Sequence, residues 1–269
     1  MFFPETQSVQ CRLNGDVLYL TFSRPEARNA MNAEVLADLV AVFDALKLRP
    51  DIRAVVLRGA GGNFCAGGDI KDFSRLRAQP VRDGRDPVAQ FNRQFGHMLQ
   101  LVNEAQQATV AVIEGAVLGG GFGLACVVDV AIASKHATFG MPETGLGILP
   151  AQIAPFVVER IGLSQARRLG VCGARFDGEE AQRLGLVHLV EADTQGLDDR
   201  LVDVLQMIRR CAPRANAQTK RIMLSVGQRD LNAILDDAAA QFSAALHGAE
   251  AAEGTQAFIE KRLPHWAQD

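Results

Sequence analysis

Apolar positions along the chain alternate between two rhythms. VLYLTF at 17–22 is β-branched and aromatic and predicts a strand. Positions 35, 36, 39, 40, 43 and 46 are apolar, the spacing of one helix face, and predict a helix over 33–48. AVVLRG at 54–59 reads as a short strand of the kind buried in a parallel sheet. Helical spacing returns over 91–107, and TVAVIEG at 109–115 and VVDVAIAS at 127–134 predict two further strands. Helices follow over 151–161, 164–172 and 178–184, then a last short strand, VHLVE, at 187–191. From about residue 196 every segment reads helical: 197–211, 213–226, 229–247 and 249–262. The mixed-charge segment 71–88, with two prolines, predicts a mobile surface stretch.

Short apolar strands separated by helices mean βαβ-type units and a largely parallel sheet, an α/β fold. The helical tail carries an apolar stripe but no strand of its own to lie on, which points to packing on a neighbouring subunit. Two regions follow: a core over 1–195 and a helical region over 196–269.

Composition narrows the function classes. The chain is 48% hydrophobic and 22% charged, with a net charge of −3, so nothing calls for nucleic acid or an acidic membrane. The cysteines at 11, 65, 126, 172 and 211 are odd in number and form no C-x-x-C pair, which predicts free thiols in a reducing compartment. MFFPETQSVQ has no basic n-region, and the charge-free run 115–128 is too short to span a bilayer, so a cytoplasmic protein is expected. Histidines at 97, 136, 188, 247 and 265 lack metal-ligand spacing, and no Ser/His/Asp arrangement or G-x-S-x-G motif is visible. Neither a metal site nor a covalent serine is expected.

The glycines are the candidate chemistry. LGGGFGLAC at 118–126 and FCAGGD at 64–69 match neither G-x-x-x-x-G-K-[ST] nor G-x-G-x-x-G, which argues against a nucleotide-phosphate loop. They are either tight turns or an amide device. If Gly121 opens a helix, Gly119 and Gly120 lie at its positive end, with free N–H groups for a developing oxyanion.

FCAGGDI (64–70) and EGAVLGGGFGLACVVDVAIAS (114–134), with SRPEARNAMN (23–32), FGMPETGLGILP (139–150) and the tail AFIEKRLPHW (257–266), resemble the enoyl-CoA hydratase/isomerase family, the crotonases. The segments stand in the family's order over essentially the whole chain. The resemblance implies a spiral of ββα units with a C-terminal helical region that builds trimers or dimers of trimers. It implies a CoA thioester as substrate and partner, and no cofactor beyond that CoA. It assigns the amides of Gly68 and Gly120 to the oxyanion hole and Glu143 to proton transfer. Ala27, Arg28, Ala66, Asp69 and Ile70 would line the substrate site, and Phe258 and Lys261 either approach the CoA adenine and phosphate or are plain helix surface. Asp69 is expected to order its own loop, Glu114 to brace the glycine run or else serve as a second acid, and Asp129 to satisfy a backbone or arginine group. Lys71, Arg75, Arg77, Arg82 and Arg85 either attract CoA phosphates or form a solvated loop.

One departure stands out. Hydratases of the family usually carry a second glutamate three residues after the middle glycine of GGG, and this chain has Gly123 there. Members lacking it include double-bond isomerases, aryl-CoA dehalogenases and feruloyl-CoA hydratase-lyases. A glycine at 123 is expected to open room for a branched acyl chain. GGGFGLACVVDVAIA, with LGILPAQIAPFVVERIGLSQARRL, also resembles the isohexenylglutaconyl-CoA hydratase branch of acyclic terpene degradation, whose substrate is branched at Cβ and carries an extra carboxylate. Gln152, in LPAQIAP, would bond that carboxylate or the attacking water, or is an ordinary capping glutamine. The expectation is hydration of a branched, carboxylated enoyl-CoA. A Δ3–Δ2 isomerase is the alternative, followed by a non-catalytic CoA- or RNA-binding member.

Overall fold

The computed structural model describes residues 3–268. A six-stranded sheet runs in the order β1 (Val9–Asn14), β2 (Val17–Phe22), β3 (Ala54–Gly59), β4 (Ala108–Ile113), then β6 (Val130–Ser134) and β9 (Leu189–Glu191). Only the β1–β2 hairpin is antiparallel; every later pairing is parallel. A second sheet holds β5 (Ala116–Leu118), β7 (Thr138–Gly140) and β8 (Arg175–Phe176). The chain alternates between the two: β4 leads to β5 and β6 to β7, so each turn of the spiral lays one strand in each sheet. Helix α1 (Ala33–Leu46) follows β2, α2 (Ile70–Arg77) and α3 (Pro87–Asn103) precede β4, and α4 (Gly120–Cys126) follows β5. Next come α5 (Ala154–Cys172) and α6 (Gly178–Arg183), and after β9 the tail α7 (Thr194–Arg210), α8 (Pro213–Ser225), α9 (Leu231–Leu246) and α10 (Ala249–Ile259).

The large sheet is buried on both faces, as its near-continuous apolar strands require. Leu18, Leu20, Val55 and Leu57 face Leu36, Leu39, Met98 and Leu99 of α1 and α3. The alternate residues Val17, Val56, Val110 and Ile132 face Leu197, Leu201 and Val204 of α7. The first tail helix therefore lies on the sheet, which corrects the expectation of a tail with no strand beneath it. The boundary expected after residue 195 falls in its first turn. The remaining tail helices carry the unpartnered apolar surface: Leu231, Leu235, Phe242, Leu246, Phe258 and Ile259 are exposed.

Other differences have local causes. Helix α3 starts four residues earlier than its apolar period because Asp86 accepts from the Val88 N–H and Pro87 occupies the first turn. The stretch expected to be irregular from 71 contains α2, capped by Asp69 through the Lys71 N–H; none of its residues is buried, so no apolar stripe announces it. The two helices predicted over 151–172 are one element broken at Gly162, at φ 76°. Strand β6 begins at Val130 because the Asp129 carboxylate is turned to the Thr109 N–H and hydroxyl and to Lys220, the structural role expected of it with a lysine in place of an arginine. Strands of two or three residues, such as β5, β7 and β8, show no period of their own. All five cysteines are free; burial pushes the Cys65 and Cys126 thiols up to about 12. Among the described residues no helix is long and apolar enough to cross a membrane.

Asn29 pins the loop after β2. It is fully buried at φ 56°, a conformation asparagine tolerates better than most residues. Its Nδ2 donates to the carbonyls of Ala60 and Asn63, and its Oδ1 accepts from the Arg24 N–H. Asn29→Ala strands these buried groups and should cost roughly 2–4 kcal/mol in chemical denaturation. A midpoint unchanged from wild type would contradict this anchoring role.

Candidate active site

One row of the small sheet sets the site. Cys65 bridges Val117 in parallel, with the Cys65 N–H on the Ala116 carbonyl at 2.9 Å and the Leu118 N–H on the Cys65 carbonyl at 2.9 Å. Val117 is in turn in register with Phe139 of β7. Three chain segments thus leave the sheet side by side and in the same direction. Gly68 follows Cys65 by three residues, Gly120 follows Val117 by three, and Glu143 follows Phe139 by four. The predicted catalytic residues converge at the carboxyl ends of parallel strands, where open α/β sheets place ligands.

Two amides there are uncommitted. Met31 N–H donates to the Gly67 carbonyl and Asp69 N–H to the Met31 carbonyl, which leaves the Gly68 N–H between them without an acceptor among the described residues. Gly120 is the first residue of α4, so its N–H has no helical partner and none elsewhere among those residues. The helix opens one residue before the predicted Gly121. Two free N–H groups on neighbouring loops are what an oxyanion site requires.

Glu143 stands against this loop. A Cβ at Gly119, which sits at φ 49°, would lie 2.7 Å from the Glu143 Oε1, so only glycine allows the approach. The carboxylate's Oε2 is buried and has no hydrogen-bond partner. Burial pushes the Glu143 pKa above its ordinary value. A carboxyl with one shielded, unpartnered oxygen and a raised pKa, close to two free amides, is equipped to move a proton next to a developing oxyanion.

Ring edges and aliphatic groups wall the space. A Cβ at Gly68 would fall on the Phe73 ring, and one at Gly120 would lie 3.0 Å from Phe95. The space at Gly123 is closed: a Cβ there would land on the Ile153 side chain and lie 3.6 Å from Leu99 Cδ1. Ile153 is 3% exposed. This corrects the expectation that Gly123 opens room for the acyl chain; Gly123 exists because Ile153 packs onto it. The second carboxylate has been replaced by a branched aliphatic group from a different loop.

The remaining predicted residues fall into three groups. Arg28 is at φ 49° and its carbonyl accepts the Ala66 N–H, so Ala27, Arg28 and Ala66 contribute backbone to the rim. Asp69 caps α2 and pairs with Arg24 at 2.9 Å, which orders its own loop as expected and leaves Ile70 exposed at the helix start. Glu114 accepts from Arg58 and from the Thr194 hydroxyl, the predicted bracing role. Gln152 donates to Asn92 Oδ1 at 3.0 Å, with its own Oε1 against Gly96 of α3. Phe258 is 85% exposed on α10, which packs chiefly on α9 and not on the elements that carry the site. Lys261 lies just past that helix at φ 55°.

Sequence reasoning passed over Phe73, Asn92, Phe95 and Ile153. The signal for two of them was present: Asn92, Phe95, Gly96 and Leu99 occupy one face of α3 by helical spacing. What that face covered was not legible without the position of α4.

Comparisons with known proteins agree with this geometry. The family model described as Enoyl-CoA hydratase/isomerase matches residues 12–269. Pseudomonas aeruginosa AtuE is 55% identical, with a TM-score of 0.94 over 97% of this chain and 100% of that one. An enoyl-CoA hydratase/isomerase from Marinobacter aquaeolei is 52% identical, with a TM-score of 0.94 over 97% and 99%. The mevalonyl-coenzyme A hydratase sidH of Aspergillus fumigatus is 30% identical over 93% of this chain and 91% of its own. With a match of this extent running through the loops that bring Gly68, Gly120 and Glu143 together, the chain belongs to the enoyl-CoA hydratase/isomerase family, and its spiral is the crotonase fold.

Proposed function

We propose that the protein hydrates the double bond of a Cβ-branched, carboxylated enoyl-CoA. The observation that carries this is Glu143, a half-buried carboxylate whose Oε2 is shielded and without a partner, set against two uncommitted amides. The thioester oxygen sits between the N–H groups of Gly68 and Gly120. Water attacks Cβ as Glu143 takes its proton, and the π electrons move onto the thioester oxygen to form an enolate. Glu143 then returns the proton to Cα, so one carboxyl serves as base and acid in turn. One oxyanion donor typically contributes ~3 kcal/mol to lowering such a barrier. The mevalonyl-CoA hydratase among the relatives supports water addition and tolerance of a branched acyl group. The branched glutaconyl class is supported by the resemblance of the segments around Gly123 and Gln152.

Ala27, Arg28, Ile70, Phe258 and Lys261 are assigned to CoA binding. Phe258 and Lys261 do so across a subunit boundary, since the exposed apolar face of α9 and α10 fits a second copy of the chain in a trimer or a dimer of trimers. A specific observation also favours the isomerase alternative: a single carboxyl suffices to take a proton from one carbon and return it to another.

Mass spectrometry of enzyme incubated with 3-methylglutaconyl-CoA, isohexenylglutaconyl-CoA, crotonyl-CoA and a 3-enoyl-CoA separates the two. A gain of one water on the branched glutaconyl substrates is expected. Unchanged mass, with the 3-enoyl-CoA converted to its ultraviolet-absorbing conjugated isomer, establishes the isomerase instead.

Glu143→Gln should lower kcat by roughly 10²–10⁴ while sparing CoA binding; an equally active variant would remove Glu143 from the mechanism. Hydration needs the ionised carboxylate, so kcat/KM should fall on acidification through a pKa above the ordinary carboxylate range. Stability runs the other way. A raised folded-state pKa contributes stability below the unfolded value and loses it as pH rises through the folded value. Glu143→Gln should therefore melt higher than wild type at neutral pH, and the gap should close in acid.

Restoring the missing carboxylate should fail on steric grounds. Gly123→Glu collides with Ile153 and should cost roughly 1–3 kcal/mol. Adding Ile153→Ala should return part of that in thermal denaturation; if the single variant is as stable as wild type, Ile153 does not fill the site.

A further inference from the structure

We propose that Asn92, Arg93 and Gln152 form a subsite for a carboxylate on the acyl chain, a reading that rests on the enoyl-CoA function above and names the group that sets its substrate preference. The face of α3 fixes where this subsite lies. Leu99 stands over Gly123 and Phe95 over Gly120, so α3 and α4 run in the same sense. Asn92 is the next position on that face, about one helical turn of ~5.4 Å beyond Phe95. It therefore lies toward the N-terminal end of α4. That offset is close to the separation of the two carboxyl carbons in a five-carbon diacid, about 5 Å from ordinary bond lengths.

The polar groups are held there by construction. Gln152 lies across α3, its Oε1 in the place a side chain at Gly96 would occupy and its Nε2 on Asn92 Oδ1 at 3.0 Å. This arrangement consumes the Asn92 acceptor. It leaves both Asn92 Nδ2 hydrogens and one Gln152 hydrogen free to donate. Arg93 Nη1 comes within 3.2 Å of the same point over Gly96. The guanidinium's one side-chain partner is the neutral Gln100, at 3.0 Å, and it makes no ion pair among the described residues. Two donor-rich amides beside an uncompensated cation suit an anion and offer little to an apolar chain. An acyl group of the diacid class would place its thioester at Gly68 and Gly120 and its far carboxylate here. Ile153, next to Gln152 and packed on Gly123, would flank the carbons between.

The test uses inert ligands, so it does not depend on which reaction the enzyme performs. Binding of 3-methylglutaryl-CoA and 3-methylpentanoyl-CoA, which differ by a carboxylate in place of a methyl group, is measured by titration calorimetry on the intact protein. Wild type should bind the diacid thioester about tenfold or more tightly, and the preference should shrink with added salt. Arg93→Gln and Gln152→Leu should each cut the ratio of the two dissociation constants several-fold. Arg93 is exposed, so its variant should fold normally. No preference in wild type, a ratio unmoved by both variants, or equal weakening of both ligands overturns the subsite. Failure of the water-addition assay with a preserved diacid preference overturns the hydratase reading and leaves the subsite standing.

Discussion

The parallel pairing of Cys65 with Val117, continued to Phe139, is the constraint on which the site depends. Each of these residues belongs to a different turn of the spiral, and none is reactive in its place: Cys65 is buried and its thiol pKa is pushed up to about 12. Their register nonetheless decides which atoms face the ligand. In a parallel pairing a slip of one residue reverses the facing of everything that follows. A slip between the first two segments would separate the Gly68 and Gly120 amides. A slip between the last two would turn Glu143 away from Gly119. The large sheet and its two helical faces hold the turns of the spiral at the spacing this small row needs. The buried Asn29 ties the loop that pairs with Gly67 and Asp69 to the same frame.

That frame holds Glu143 in a state its own energetics disfavour. A carboxylate oxygen without a partner, shielded from water, is costly when ionised, and the raised pKa expresses the cost. Asp69 shows the opposite treatment a few residues from Gly68. It is bonded to Arg24 and to the Lys71 N–H and is held below its ordinary pKa, because these bonds outweigh the burial that would raise it. One carboxylate is satisfied and structural; the other is deprived and available. The contrast lies in what surrounds each, so residue type alone did not reveal it.

Much of the fold was legible because its strands and helices are long enough to show their period. β2 and β3 fall where the apolar runs place them, and the α/β class follows from their alternation with helices. β1 was missed because only Val9 of its six residues is buried. β5, β7 and β8 were missed because two or three residues carry no period, yet these short strands build the site. The glycines were legible as punctuation, and the motif resemblance identified Gly68, Gly120 and Glu143. Gly123 was read as space because a glycine in a sequence marks only the absence of a side chain. Whether another side chain fills that absence depends on a contact with Ile153, thirty residues away.

The exchange at Gly123 has an electrostatic consequence. A second carboxylate near Glu143 would add like-charge repulsion and draw water toward both. Ile153 fills the place at Gly123 with an apolar group instead, and burial is what raises the Glu143 pKa. On the proposed hydration one carboxyl carries the proton in both directions, which works only if it is neither paired nor strongly hydrated. The unpartnered Oε2 meets that condition. In the proposed subsite, Asn92, Arg93 and Gln152 take the substrate anion away from the reacting carbons. On the proposed reading, anion binding and proton transfer belong to different residues, and the chemistry at the oxyanion is left to Glu143.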